Sequence, residues 1–307
     1  MSLSRRDVLA MSTAAITAST LPATAADSAE PFGYSFNTST IRGQKVPVDE
    51  EARLAAKAGY NAIEPWMFEL QDYVKKGGNL KDLGKRIADL GLKVESSIGF
   101  GRWIVDDDLE RQKGLDEAKR DMEMVLAIGG LRIAAPPAGA TDKPIKDLAV
   151  ITDRYRTLAE LGAKVGVIPE AEVWGFSKTL SKLGETVLVA MESGHPKACV
   201  LPDVYHLFKG GSGFEGLKLL QGKTIGIFHV NDYPKEKDRA TIKDADRVYP
   251  GDGVAPLKDV FRTLRDIGYR GMISLELFNP EYYKQDAFEV VKTGLAKTKA
   301  AVKAALA

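Results

Sequence analysis

Eight short apolar runs recur along this chain, most of them followed by a stretch of helical spacing that ends at glycine. Residues 32–37 read as a first strand and residues 48–58 as a helix with an Ala/Leu face, stopped by Gly59. Residues 62–66 read as a second strand and residues 80–90 as a helix closed by Gly91. Residues 92–97 lead to a long helix over about 108–128 that ends at Gly129 and Gly130, and residues 131–135 lead through Pro136 and Pro137 to a helix over about 146–164. Residues 165–173, 198–201, 225–230 and 271–277 complete eight predicted strands. Residues 288–306 form a last helix whose lysines read as a solvated face. Runs without polar alternation mark strands buried on both faces, as in a parallel sheet covered by helices. Eight such units in about 280 residues predict an α/β fold, a single-domain (β/α)8 TIM barrel, over an open doubly wound sheet. No G-x-G-x-x-G follows the first strand, which weighs against a dinucleotide-binding sheet.

The N-terminus stands apart. Arg5 and Arg6 precede an uncharged stretch rich in Ala, Ser and Thr, which ends in the small residues Ala23, Ala25 and Ala26. This reads as a Tat export signal over residues 1–26, leaving 27–307 as the barrel and placing the protein in the periplasm. The stretch is too short to span a bilayer, so no membrane association is expected once it is removed. Tat exports folded proteins, often with a cofactor loaded, which agrees with a metal. The whole chain carries 43 Lys and Arg against 42 Asp and Glu, and loss of Arg5, Arg6 and Asp7 leaves the remainder formally neutral. Such a surface offers no field to a polyanion, so no nucleic-acid partner is expected. The single Cys199 excludes an internal disulfide framework and a thiolate metal cluster.

Active sites of such barrels lie at the C-terminal ends of the strands. Four titratable side chains stand there in consecutive strands: Glu172 after the fifth, Asp203 after the sixth, His229 after the seventh and Glu276 after the eighth. Each alone has a plainer reading, as a solvated acid, a helix N-cap or a core histidine. Together, three carboxylates and an imidazole in a dry barrel mouth require a compensating cation. Oxygen-dominated ligation with one nitrogen suits Mn²⁺, Mg²⁺ or Co²⁺, and admits Zn²⁺.

These four residues, with Asp203-x-x-His206, His229-x-Asn231-Asp232, Pro250-Gly251-Asp252-Gly253 and the closing run from Gly268 to Glu276, resemble the sugar phosphate isomerase/epimerase superfamily, whose members have a xylose isomerase-like TIM barrel. The resemblance covers nearly the whole chain after residue 26. It implies one divalent metal ion held by Glu172, Asp203, His229 and Glu276, with His206 facing the substrate's oxygens. It departs from ketose 3-epimerases, which carry an extra Glu after the first metal Glu and an Arg after the metal His, where Lys178 and Lys235 stand here.

A divalent ion on adjacent carbonyl and hydroxyl oxygens of a ketose or keto-sugar acidifies the intervening C–H by stabilising an enediolate. Glu172 and Glu276, on opposite sides of the ion, are the expected catalytic acid–base pair. Epimerisation, aldose–ketose isomerisation, and elimination by a lyase or dehydratase acting on a keto-sugar or keto-glycoside are all compatible with these residues. Further substrate contacts are expected from Arg247, as a bidentate donor, from Glu64, as a hydroxyl acceptor, and from Trp66 and Trp174, as platforms for a sugar face. His195, in Ser193-Gly194-His195-Pro196, reads as a turn residue. The charged segment 231–253 suits a lid or a subunit contact in a homo-oligomer. Two other classes fit these residues less well. A DNA-repair barrel of the endonuclease IV type needs several histidines and a cationic groove, whereas this chain has three His. A noncatalytic carbohydrate-binding barrel has no need of two metal-held glutamates.

Overall fold

The computed structural model describes residues 30–307, so the export signal expected over 1–26 lies outside the described residues. Eight strands follow the predicted order: β1 (Gly33–Asn37), β2 (Ala62–Glu64), β3 (Lys93–Val94), β4 (Arg132–Ala135), β5 (Ile168–Glu172), β6 (Cys199–Leu201), β7 (Phe228–Val230) and β8 (Met272–Leu275). All the strand pairs are parallel, in a five-stranded ladder β3-β2-β1-β8-β7 and a three-stranded ladder β4-β5-β6. Both seams between the ladders are bridged. Ser97 N donates to Arg132 O at 3.2 Å and Ala134 N to Ser97 O at 2.9 Å, while Val200 pairs with Ile225 and Asp203 with His229. The ring is thereby closed as a (β/α)8 barrel.

The helices are α1 (Val48–Ala58), α2 (Met67–Lys75), α3 (Leu80–Asp89), α4 (Asp108–Ala127), α5 (Leu148–Val165), α6 (Leu183–Glu192), α7 (Val204–Gly210), α8 (Leu257–Asp266) and α9 (Ala287–Leu306). Three acids, Asp49, Glu50 and Glu51, complement the dipole in the first turn of α1, and Val48, Ala52 and Ala55 are buried against the barrel. The fifth strand starts three residues later than expected. Val165 is the last residue of α5, and Gly166, at φ 101°, takes the left-handed conformation that stops the helix before β5 begins.

The strands do alternate, and the inward positions mix polar side chains with a second, smaller apolar cluster of Ala62, Ala134, Leu201, Ile227 and Met272. Tyr34, Phe36, Ile63, Ala171, Ile273 and Leu275 belong to the main apolar core beneath the helices. Between them stand Ser35, Asn37, Glu64, Glu170, Glu172 and Ser274, all buried. This period of two turns one set outward to the helices and the other into the barrel. The interior therefore carries a stack of buried polar side chains beside that apolar cluster. At its lower end Glu170 Oε2 accepts from Ile227 N at 2.8 Å, and Arg132 pairs with Glu95. Burial pushes the Glu170 carboxyl up to about 7, with Arg132 opposing.

Candidate active site and metal centre

Three of the four expected ligands meet. One nitrogen of His229 and one oxygen each of Asp203 and Glu276 lie within 4.8 Å of one another, and all three residues are buried. Asp203 ends the turn after β6 and also caps α7, its Oδ1 accepting from His206 N at 3.0 Å. The capping and ligating readings of this residue are therefore compatible, because the cap uses Oδ1 and leaves Oδ2 facing the cluster. Glu172 stands outside this set, in the same cavity, with its Oε2 buried and without a hydrogen-bond partner.

His229 is oriented from below. Its Nε2 lies 3.1 and 3.0 Å from the two oxygens of Glu64, and both side chains are fully buried. An ionised carboxylate only accepts, so the Nε2 proton points at Glu64 and Nδ1 is turned to the cluster. Nδ1 has no hydrogen-bond partner and lies 3.3 Å from Glu276 Oε2 and 3.7 Å from Asp203 Oδ2. An orphaned buried nitrogen between two carboxylates, with a carboxylate behind the imidazole, is the arrangement that metal-binding histidines use. The donor set fits a divalent ion.

Glu64 was expected to contact substrate; the structure places it elsewhere. It lies beneath His229, fully buried and away from the cavity lining, and its Oε2 also accepts from Ser274 Oγ at 2.7 Å and Asn37 Nδ2 at 2.9 Å. Asn37 and Asn231 were not foreseen as site residues. Asn37 Nδ2 also reaches Glu276 Oε1 at 3.2 Å, and Asn231 Nδ2 lies 3.2 Å from each oxygen of Asp203. Glu276 has its other oxygen 2.8 Å from Arg247 Nη1, so both oxygens are engaged. Of the expected acid–base pair, Glu172 alone has an oxygen free.

The electrostatics follow from burial and this network. Burial works against the ionised form of Asp203, but Arg247, whose Nη1 is 2.9 Å away, and His229 hold its carboxyl far below the usual range. Burial pushes Glu172 well above the usual carboxylate range; His229 opposes this and Glu276 adds to it. Burial would lower the His229 imidazole, yet Glu64 and Glu276 raise it well above its ordinary value. Burial dominates at His206 and lowers it, so this ring is neutral. Gly175 N donates to His206 Nδ1 at 3.3 Å, and the ring's Nε2 lies 3.4 Å from Arg247 Nη2. A Cβ at Gly175 would meet His206 O at 2.3 Å, so this approach requires glycine.

A cavity of about 180 Å³ opens above the cluster, lined by Trp66, Trp174, Glu172, His206, Arg247 and Glu276. All the expected substrate contacts except Glu64 therefore face it. Phe100, Phe176, Phe278 and Asp244 line it too, and sequence reasoning passed over them because a lone phenylalanine in a loop carries no signal that separates it from core. Lys178 and Lys235 are exposed and do not line it. Asp232 serves the loop above. Its carboxylate accepts from Tyr233 N, Gly251 N and Ala255 N at 2.8, 3.0 and 2.8 Å, tying down the Pro250–Gly253 turn.

The sequence pattern of the xylose isomerase-like TIM barrel family matches residues 52–300. The chain belongs to that family. Among xylose isomerase-like barrels it is 28% identical over 261 residues to the inosose isomerase of Bacillus velezensis, covering 82% of this chain and 91% of that protein. A crystal structure of the IOLI protein with a bound zinc atom has a TM-score of 0.82 at 25% identity, covering 89% of this chain and 99% of that one. The chain also matches the 3-dehydroshikimate dehydratase of Pseudomonas putida at 23% identity, over 75% of this chain and 36% of that protein.

Proposed function

We propose that this barrel is a divalent-metal-dependent isomerase that moves the carbonyl of a keto-sugar or related polyol ketone to the neighbouring carbon, with Glu172 as the proton-transferring base. The observation that carries this reading is the free, buried Oε2 of Glu172 beside the Asp203–His229–Glu276 cluster. Held by those three residues, a divalent ion such as Mn²⁺, Mg²⁺, Co²⁺ or Zn²⁺ would supply Lewis acidity that makes a C–H next to a carbonyl removable. Glu172 takes that proton at Oε2, and the burial that raises its pKa makes the ionised carboxylate a stronger base. His206 lines the cavity and faces the substrate's oxygens. Return of the proton by the same carboxylate to the adjacent carbon, with the hydroxyl proton passing from one substrate oxygen to the other, is isomerisation. Epimerisation needs a second base on the opposite face, and Glu276 is engaged in the metal cluster with Asp203 and His229. The bacillar relative's activity, inosose isomerase, supports the same choice. The dehydratase relative supports a second outcome, in which a leaving group departs before the proton returns. An export signal over 1–26 would bring the enzyme to unphosphorylated carbohydrate outside the cytoplasm.

The test is solvent exchange. In D₂O with Mn²⁺, NMR of a polyol ketone is expected to show deuterium beside the carbonyl and a product with the carbonyl on the next carbon. Glu172→Gln is expected to lower exchange by about 10²–10⁴-fold. A product that keeps its carbonyl position would make the enzyme an epimerase, and an alkene would make it a dehydratase. Undiminished exchange in the variant would remove Glu172 as base, and a substrate that stays fully protonated would leave only a binding protein.

A further inference from the structure

Asn37 closes β1 with every hydrogen-bonding valence of its side chain in use. β1 lies between β2 and β8 in the ladder, so its last residue stands between Glu64, which ends β2, and Glu276, which follows β8. Its Nδ2 donates to Glu64 Oε2 at 2.9 Å and to Glu276 Oε1 at 3.2 Å. Its Oδ1 accepts from Ser39 N at 3.0 Å and from Trp66 Nε1 at 2.8 Å. An amide side chain has two donor hydrogens and two acceptor lone pairs, so the set is complete. The orientation of the amide is fixed as well, because ionised carboxylates only accept and the indole and backbone N–H groups only donate. Asn37 is fully buried. Capping the turn that follows β1, the plainer role for an asparagine at this place, needs only the bond to Ser39.

The three other bonds join parts of the site that do different things. Glu64 orients His229, Glu276 belongs to the Asp203–His229–Glu276 cluster, and Trp66 lines the cavity. The Trp66 ring is stacked under Arg42, 3.9 Å from its centre, and packed by Phe100 and Phe278 at 5.1 and 5.8 Å, so the bond at Nε1 is what fixes how the indole lies within that packing. Hydrogen bonds in series polarise one another in a dry interior. The charge on Glu276 draws on Asn37 Nδ2–H and makes Oδ1 a stronger acceptor for the indole. Glu276 turns its Oε2 to His229 Nδ1 at 3.3 Å, on the side where a cation would share that charge and weaken the draw.

We propose that Asn37 is a positioning residue that couples the metal centre to the cavity wall: its amide holds the Oε1 side of Glu276 and passes the state of the Oε2 side on to Trp66. This goes beyond the isomerase reading and holds for whichever substrate the cavity takes. The test follows the metal-stripped, isotope-labelled protein by proton–nitrogen NMR during titration with Zn²⁺, which is diamagnetic. Its three tryptophans give three indole N–H resonances. The one missing from Trp66→Phe belongs to Trp66, and Trp103, whose Nε1 donates to Pro136 O at 2.9 Å, is the control. The Trp66 proton is expected to move upfield with the midpoint that calorimetry gives for Zn²⁺ binding, while that of Trp103 stays in place. In Asn37→Ser, which keeps a cap for Ser39 N, the Trp66 resonance is expected not to follow Zn²⁺, and Zn²⁺ affinity is expected to fall by about tenfold or more, as when other partners of metal ligands are removed. A parent that binds Zn²⁺ while its Trp66 resonance stays still overturns the coupling, whether or not the variant folds. A resonance that follows Zn²⁺ equally in Asn37→Ser overturns it too, since another path then carries the effect. Unchanged Zn²⁺ affinity in that variant would overturn the positioning of Glu276. A parent that takes up no divalent ion in the calorimeter would overturn the metal centre and this coupling together.

Discussion

The Glu64–His229 pair gives the sharpest handle on the metal centre. Glu64→Gln keeps the side chain's volume and leaves an oxygen to accept from Ser274 and Asn37, so the change falls on the bond to His229. A hydrogen bond to a charged partner contributes about 1.5–3 kcal/mol where a neutral one contributes about 0.5–1.5 kcal/mol. The imidazole therefore loses about 1–1.5 kcal/mol of support, or about tenfold in metal affinity, at the lower end of the 10–100-fold found when such partners are mutated. Loss of the Glu64 charge also lowers the His229 pKa, which that charge helps to hold up against burial. Because a metal must displace the His229 proton, affinity in the parent rises with pH up to the raised pKa, and the rise in the variant ends at lower pH. Titration of the metal-stripped protein with Mn²⁺ or Zn²⁺ by calorimetry at several pH values reads both effects. Unchanged affinity and an unchanged pH profile in Glu64→Gln would refute the claim that Glu64 orients and charges the ligand.

Three other outcomes follow from the same geometry. Arg247→Met strips Asp203 and Glu276 of their buried guanidinium, so thermal unfolding of the metal-free protein should show a loss of about 3–5 kcal/mol, with a smaller loss once Mn²⁺ is saturating; equal losses in both forms would contradict it. Burial, with Glu117 adding to it, raises Asp121 from 3.8 to about 6, so the native state holds more protons than the unfolded chain between those values. Stability from this group is therefore full below about pH 4 and falls as pH rises to 6; Asp121→Asn should flatten that part of a denaturation-versus-pH curve, by at most about 3 kcal/mol. Replacing Arg5 and Arg6 together by Lys should retain the protein in the cytoplasm on cell fractionation, and unimpaired export would dismiss the Tat reading of residues 1–26.

Legibility followed the length scale of each signal. α1 was read to the residue because proline, three acids and a left-handed glycine bracket an Ala/Leu stripe. α6 was passed over, since Gly184, Thr186, Val187 and Val189 in Leu183–Glu192 dilute any helical stripe. α8 was missed despite Leu257, Val260, Phe261 and Leu264 recurring at helical spacing just past Pro256. Asp203, His229 and Glu276 could be picked out because a titratable group ending an apolar run has no packing role. Glu64 ends such a run as well, and nothing local distinguishes a carboxylate beneath the imidazole from one beside it. That distinction arises only when β2 and β7, separated by β1 and β8, face each other across the barrel.

The polar stack inside the barrel also constrains how the protein can be assembled. Glu64 and His229 are 165 residues apart, and Thr40 reaches Leu275 O across 235. A half-made chain holding β1 to β4 has Glu64 but neither His229 nor Ser274 to receive its charge, so sealing it from water would be prohibitive. The nascent centre must stay wet until the last two strands arrive, and closure of the ring is then a late, concerted event rather than a growth outward from the first half.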